Sequence, residues 1–200
     1  ANMVWAFATA GCNSPPLFAA TEEAVMHNIA NFTSQNIANT AWAFATSGRS
    51  SPSLFTAVEE AALQKITDFK AQELSNLVWS FAKVRRSSPP LFAAVEDAAL
   101  QKISTFNAQD LANTVWAFAT MDHRCPRFLA AVVEAAGPMQ LNSQDRANLL
   151  YALAVTNSLD AGLLWTLGSP LEQQLQDMEE EDKRQVFQSC LAVQLRAAER

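Results

Sequence analysis

The amino-acid sequence predicts an all-α protein, an α-solenoid built from helical hairpins of about 37 residues. One observation is a column of aromatic residues that recurs every 37 residues and continues at Tyr151: Trp5, Trp42, Trp79 and Trp116. The other is a second, proline-led block between them, which reads PPLFAATEEAV, PSLFTAVEEAAL, PPLFAAVEDAAL and PRFLAAVVEAA. Two helical segments repeated at a fixed period are typical of solenoids.

The proline-led block, segment A, is predicted to form the first helix of each hairpin. Proline suits the first helical turn, where its missing N–H is not needed, and Ser or Cys precedes it as a cap. In the second copy the apolar positions Leu54, Val58, Ala61 and Ala62 recur at helical spacing. This stripe is the face that we expect to be buried.

The Trp-containing block, segment B, is predicted to form the second helix. Its expected first residues are mostly helix-capping types: Thr33, Lys70, Asn107 and Asn142. Three positions later stand residues that fit a capping box: Asn36, Glu73, Asp110 and Asp145. The predicted core stripe of one copy is Leu111, Val115, Phe118 and Ala119, with Trp116 beside it.

The repeats are predicted to occupy residues 1–157, with the first copy incomplete, because the chain opens within a B segment. We therefore expect an N-terminal portion that precedes this sequence. Residues 158–200 are predicted to form a degenerate C-terminal capping repeat, with an A helix near 159–167 and a B helix near 182–198. Terminal repeats of solenoids commonly exchange core residues for polar ones.

Composition argues against catalysis and against a dedicated nucleic-acid binder. The net charge is −6 and the pI is about 4.9, whereas nucleic-acid binders usually carry a basic face. Only two His are present, and neither a catalytic triad, a phosphate-binding loop nor a metal motif is visible. The three scattered Cys fit a reducing compartment, and no stretch reads as a membrane span. We predict no enzyme activity, cofactor, metal, small-molecule substrate or membrane insertion.

The segment FNAQDLANTVWAFA, residues 106–119, resembles the "PQ-L-N-WA-A" motif of octotricopeptide and heptatricopeptide repeats. The proline pairs Pro15-Pro16 and Pro89-Pro90 resemble that family too. The resemblance implies an RNA-binding protein of an organelle, chloroplast or mitochondrion. Its expected roles are RNA maturation, stability or translation, or ribosome assembly. The acidic charge departs from the family, and the RAP domain of many members is not visible here.

The turns from B to A concentrate positive charge, and the solenoid would bring them to one edge. This basic loop edge is the predicted site for RNA or a partner protein: Arg49, Lys83, Arg85, Arg86, His123, Arg124 and Arg127. The alternative is solvated loops whose Arg side chains cap helix C-termini. Acidic residues repeat on segment A, and phosphate would avoid that face: Glu22-Glu23, Glu59-Glu60, Glu96-Asp97 and Glu134.

Residues that repeat in every copy are predicted to be structural, because a reader of base sequence has to vary. We expect the Asn column to be buried and bonded to neighbouring backbone, and the Trp column to be core. The Asn column is Asn39, Asn76, Asn113 and Asn148. The B-helix positions that do vary are candidates for base discrimination, with ordinary surface variation as the preferred alternative. These are Thr40, Leu77, Thr114 and Leu149, and Ser47, Val84, Met121 and Thr156.

Two classes of function stay open on the sequence. The first is binding of single-stranded organellar RNA on the basic loop edge. The second is a protein-only scaffold, an accessory subunit of a large organellar complex such as a ribosome or photosynthetic supercomplex. Apolar residues at several variable positions and the acidic balance favour the second. The family resemblance and the basic loop edge favour the first, which is the preferred interpretation.

Overall fold

The computed structural model describes residues 2–12, 14–156, 167–168, 180, 183–184 and 186–187. Within this part of the chain all nine elements longer than one turn are α-helices, and strands are absent. The predicted all-α class is therefore confirmed for the described residues. The predicted capping repeat, 158–200, lies almost wholly outside them.

The helices alternate as segments A and B predict. The A helices are α2 (Pro15–Asn28), α4 (Pro52–Gln64), α6 (Pro89–Gln101) and α8 (Pro126–Ala136). The B helices are α1 (Asn2–Thr9), α3 (Ser34–Thr46), α5 (Ala71–Lys83), α7 (Ala108–Thr120) and α9 (Ser143–Val155). Short 3-10 turns follow three of the A helices: Ile29–Asn31, Ile66–Asp68 and Ile103–Thr105.

Local chemistry sets the helix starts at the predicted residues. Pro occupies the first position of α2, α4, α6 and α8. The hydroxyls of Ser51 and Ser88 accept hydrogen bonds from the backbone of Leu54 and Leu91, at 3.4 and 3.3 Å. The B helices have their N-caps at Thr33, Lys70, Asn107 and Asn142. The caps at Thr33, Ser51, Ser88, Asn107 and Asn142 thus satisfy N–H groups that lack a partner in the helix, whereas Ser14, Lys70 and Cys125 make no side-chain cap bond.

The chain forms two compact units, Ala1–Lys102 and Ile103–Arg200. In the first unit the B helices lie side by side in the order α1, α3, α5, and the A helices in the order α2, α4, α6. In the second unit α7 packs against α8 and α9. The first unit therefore contains two layers, one of A helices and one of B helices.

Small and aromatic residues divide the packing of the first unit between them. Ala38, Ala41 and Ala45 of α3 are all buried, which lets neighbouring B helices approach closely. Phe44 meets Phe18 of its own hairpin edge to face, with ring centroids 5.1 Å apart. The same 5.1 Å contact recurs in the next hairpin, between Phe55 and Phe81. Repetition of one aromatic pair per hairpin gives each hairpin the same core.

Polar side chains also join consecutive hairpins of the first unit. The ammonium of Lys65 donates to the carbonyl oxygens of Ala30 and Phe32, at 2.9 and 2.7 Å. One repeat later, Lys102 donates to the carbonyls of Thr67 and Phe69, both at 2.6 Å. Glu59 accepts from the N-cap hydroxyl of Ser88 at 2.6 Å, and Glu22 accepts from Ser53 at 3.0 Å and from Ser51. These bonds give one carboxylate of each acidic pair on α2 and α4 a structural role.

In the second unit two carboxyls are buried at the starts of B helices. Asp110 and Asp145 stand at the third position of α7 and α9, where each backbone N–H bonds the N-cap Asn at 2.8 Å. Burial raises the pKa of both carboxyls above the ordinary 3.8, and a backbone hydrogen bond to each partly opposes that effect. The ionised form therefore costs stability at neutral pH.

Replacing Lys65 with Met should lower the free energy of unfolding by about 1 to 3 kcal/mol, because two carbonyl groups lose a charged donor. Denaturant unfolding measures this difference. Lys83→Met is the matched control, because Lys83 is exposed and its substitution should stay within about 0.5 kcal/mol. Equal losses in the two variants would contradict a structural role for the Lys65 bonds.

The Asp110→Asn/Asp145→Asn variant should change how stability depends on pH. Because the folded pKa values are raised, wild-type stability falls as pH rises from 3.8 through the folded pKa, and the cost persists at neutral pH. Asn does not titrate, and it can keep the capping box, as Asn36 does in α3. Unfolding measured below pH 3.8 and at neutral pH should therefore favour the variant more at neutral pH. An unchanged difference would contradict the prediction.

Candidate functional site

The B-to-A turns share one backbone geometry that decides where their basic side chains point. After α3, α5 and α7 one residue adopts a left-handed conformation: Gly48 (φ 69°), Arg85 (φ 54°) and Asp122 (φ 53°). The backbone N–H of the next residue donates a hydrogen bond of 2.8 to 2.9 Å to a carbonyl oxygen of the preceding helix: Arg49 to Phe44, Arg86 to Phe81 and His123 to Phe118. This pattern is a Schellman motif, which satisfies the last carbonyls of a helix.

Three residues of the basic loop edge therefore make contacts inside the protein. The Arg49 guanidinium lies over the ring of Phe18, 4.5 Å from its centroid. Arg86 donates to the hydroxyl of Thr56 at 2.7 Å. The His123 ring lies 4.8 Å from the ring of Phe118. All three stand at the same point of the motif, so the turn aims them at the protein.

The other four residues of that edge are exposed to solvent. Lys83 and Arg85 belong to the first unit, and Arg124 and Arg127 to the second. Lys83 also lies over the Trp79 ring, with its Nζ 5.8 Å from the centroid. These four side chains are the members of the predicted edge that a phosphate could reach.

Half of the varying positions are unavailable to a ligand. Thr40, Leu77 and Thr114 are fully buried, and Leu149 is 2% exposed. Burial contradicts both their candidacy for base discrimination and the preferred alternative, ordinary surface variation. The Thr40 and Thr114 hydroxyls donate to carbonyls four residues earlier, both at 2.7 Å. The second set is half-buried at the ends of the B helices: Ser47, Val84, Met121 and Thr156.

The repeated Trp and Asn columns lie at the surface, which corrects both predictions. Trp5 is 40% exposed, and Trp42, Trp79 and Trp116 are half-buried. Trp42 contacts the indoles of both neighbouring B helices, Trp5 and Trp79. Asn39, Asn76 and Asn113 are also half-buried, and within the described residues their amides have no hydrogen bond. Only Asn148 is buried as predicted, at 6% exposure.

A third repeated residue completes this surface. An exposed Gln lies one turn before each Asn, so Gln, Asn and Trp follow positions i, i+4 and i+7 on one side of the B helix. We call this the amide–indole face. In the first unit it comprises Asn2, Trp5, Gln35, Asn39, Trp42, Gln72, Asn76 and Trp79. In the second unit the equivalent residues are Gln109, Asn113, Trp116, Gln144, Asn148 and Tyr151.

The indoles of the first unit contact each other from helix to helix. The ring centroids of Trp5 and Trp42 are 6.3 Å apart with the planes tilted by 40°. Those of Trp42 and Trp79 are 6.5 Å apart with the planes within 28° of parallel. Both centroid distances are typical of interacting aromatic pairs; the second pair is stacked and the first is tilted. The result is a continuous aromatic strip bordered by free amide groups.

Charge is separated between the two layers of the first unit. The second carboxylate of each acidic pair is exposed on the A helices: Glu23, Glu60 and Asp97. The B layer has one carboxylate, Glu73, which is 9% exposed and accepts from the Lys70 backbone at 3.0 Å. The exposed cations Lys70, Lys83 and Arg85 stand at the ends of α5, and one exposed carboxylate, Asp68, lies in the turn before that helix. An anionic ligand would therefore meet the B layer at lower electrostatic cost than the A layer.

Other kinds of site have little support in the described part of the chain. No group of His, Cys, Asp and Glu residues there could hold a metal ion. No helix there is long and apolar enough to cross a bilayer. The second unit has a cleft of about 400 Å³ near His123, Cys125 and Val155.

These features define a helical-repeat protein that repeats one exposed face along its B helices. The family model of the RNA-editing substrate-binding complex 6 (RESC6) protein matches residues 1–196, and the chain belongs to this family. Comparison with curated proteins gave no match. The family fits the expected RNA-related helical protein in broad terms. The octotricopeptide or heptatricopeptide type is not confirmed by it and stays a prediction.

The left-handed backbone at Arg85 lowers the stability of the fold, and substitution of this residue measures by how much. Arg85→Gly should raise the free energy of unfolding by about 0.5 to 1 kcal/mol, because glycine adopts a φ of 54° without the steric penalty of a Cβ. Gly48 already fills the equivalent position one repeat earlier. Denaturant unfolding of Arg85→Ala is the control, since alanine removes the charge and keeps the penalty. A gain in Arg85→Ala as large as in Arg85→Gly would contradict this account.

Proposed function

We propose that the chain is a non-enzymatic RNA-binding subunit of an RNA-editing complex, and that its hairpins continue as an α-solenoid that holds single-stranded RNA. The observation that carries the proposal is the separation of charge in the first unit. Exposed carboxylates lie on the A helices, while the exposed cations Lys70, Lys83 and Arg85 border the B layer. Such a separation lets a protein with a net charge of −6 offer one surface to a phosphate backbone.

Membership of the family supports the same function. The family is named for an RNA-editing substrate-binding complex, and its model covers residues 1–196. The family also supports an organellar location but not a chloroplast one, so we propose the mitochondrion. A role in RNA maturation is thereby preferred to one in ribosome or photosynthetic assembly. Holding RNA requires no catalytic group, which is why we propose a binding subunit and not an enzyme.

The expected result is salt-sensitive binding of single-stranded RNA through the outward-facing cations. Arg85→Gln should weaken binding and reduce the slope of log affinity against log salt by about 1, because one phosphate contact is lost. Arg86→Gln is the matched control, since it removes the same charge from the neighbouring residue, which is bonded to Thr56. Fluorescence anisotropy of a labelled RNA at two salt concentrations measures both variants.

Equal losses in the two variants would point to net charge and not to an outward contact. If the wild-type chain binds no RNA at low salt, the proposed function is wrong. The protein-only scaffold would then be the better explanation of the family match.

A further inference from the structure

We infer that the amide–indole face is the surface along which the RNA strand lies, and that it holds the strand by contacts repeated in each hairpin without selecting a base sequence. The inference rests on the proposed function and assigns its binding site. The inferred binding site lies on the outer side of the B helices, and the basic loop edge borders it.

The first step is that packing does not account for the residues of this face. Gln35, Gln72, Asn39 and Asn76 project from helices whose other positions are mostly buried. A half-exposed Trp also leaves apolar surface in water, which costs free energy that burial would recover. The B helices nevertheless repeat the same Gln, Asn and Trp in each complete copy of the first unit. Repetition that the core does not require indicates a ligand with a repeating structure.

The second step is the chemistry that these residues offer. An indole stacks on a base of any identity, because every base has an aromatic face. The side-chain amide of Asn or Gln provides both donors and an acceptor, which suits base edges, ribose hydroxyls and phosphate oxygens. The Trp5, Trp42 and Trp79 rings form a strip with centroids 6.3 and 6.5 Å apart. A single strand laid along the strip would meet the same groups at each hairpin.

The third step is electrostatic. The one carboxylate within the B helices of the first unit, Glu73, is buried in its capping bond, and the exposed Asp68 lies in the turn before α5. Lys70 and Lys83 stand at opposite ends of α5, and both are exposed. The Lys83 ammonium is held beside the Trp79 ring, 5.8 Å from its centroid. A base on the strip would therefore have cations near its phosphates.

The fourth step concerns specificity. A protein that reads one base per repeat needs side chains that differ between repeats at the contact positions. In this chain the differing positions Thr40 and Leu77 are fully buried, while the exposed positions of the face are the same in successive copies. Contacts that do not vary cannot discriminate bases. The face therefore fits an RNA of any sequence, provided that it is single-stranded.

The test compares three double variants that each exchange two amides for carboxylates and so add the same charge. Asn39→Asp/Asn76→Asp and Gln35→Glu/Gln72→Glu alter the amide–indole face. Gln64→Glu/Gln101→Glu alters exposed residues of the A helices, one turn beyond Glu60 and Asp97. The probe is a labelled single-stranded RNA of about a dozen nucleotides, in two unrelated base sequences. Thermal unfolding of each variant accompanies the binding measurement.

We expect both face variants to bind the RNA about tenfold more weakly than wild type, because carboxylates replace groups that contact the strand. The A-helix variant should stay within about twofold of wild type, since its added charges lie away from the strand. Gln35 and Gln72 lie in the first turns of their helices, where a carboxylate is favourable, so that variant keeps its fold. RNA should quench tryptophan fluorescence in the wild type and the A-helix variant, and far less in the face variants.

The outcomes separate this inference from the proposed function. Suppose that wild type binds RNA and the three double variants weaken binding equally, or that Arg85→Gln alone weakens it. The proposed function then stands, but the amide–indole face is not the RNA-binding site. A preference above about tenfold between the two RNA sequences would overturn base-independent binding. If wild type binds no RNA but binds an extended Lys- and Arg-rich peptide, both proposals fail.

Discussion

The close approach of neighbouring B helices is the constraint on which the rest of the first unit depends. Ala38, Ala41 and Ala45 of α3 are buried, and small buried side chains add little to the distance between helix backbones. The large aromatic residues of α3 lie on two different sides of the helix. Phe44 lies inward between the layers and meets Phe18, while Trp42 lies outward and meets the Trp of the next helix. The core and the exposed aromatic strip are thus two consequences of one packing arrangement.

The sequence predicts those features of the fold that depend on a few neighbouring residues. The hairpin period, proline at the start of the A helices and the N-caps at Thr33 and Asn107 follow from such local chemistry. Apolar character alone wrongly predicts a buried Trp column, whereas the helical phase of these residues indicates an exposed one. Gln35, Asn39 and Trp42 follow the spacing i, i+4, i+7 and so lie on one side of the helix. The sequence therefore indicates that the indole lies among polar residues. Arg86 could not be placed in this way, because its direction depends on the left-handed backbone of the preceding residue.

The net charge is a poor guide to the charges that a ligand would meet, because several charged side chains form bonds between stacked hairpins. Lys65 is held by two carbonyls of the preceding hairpin, and Glu59 accepts from the cap of the following A helix. These three bonds link segments about one repeat apart, so they fix the register in which hairpins stack. What remains for a ligand is a smaller and unevenly distributed set of charges. The net value of −6 therefore says little about the potential over the B layer.

A repeated face also limits the kind of partner that can use all of it. A folded protein subunit presents a different side chain at each point, and a surface adapted to it would diverge from copy to copy. A polymer with a constant backbone presents the same groups at regular intervals, so each hairpin can keep the same Gln, Asn and Trp. The buried interior of the hairpins repeats for a different reason, since each copy packs against one like itself. Exposure is what separates the two causes of repetition, and the indole and amide columns lie on the exposed side.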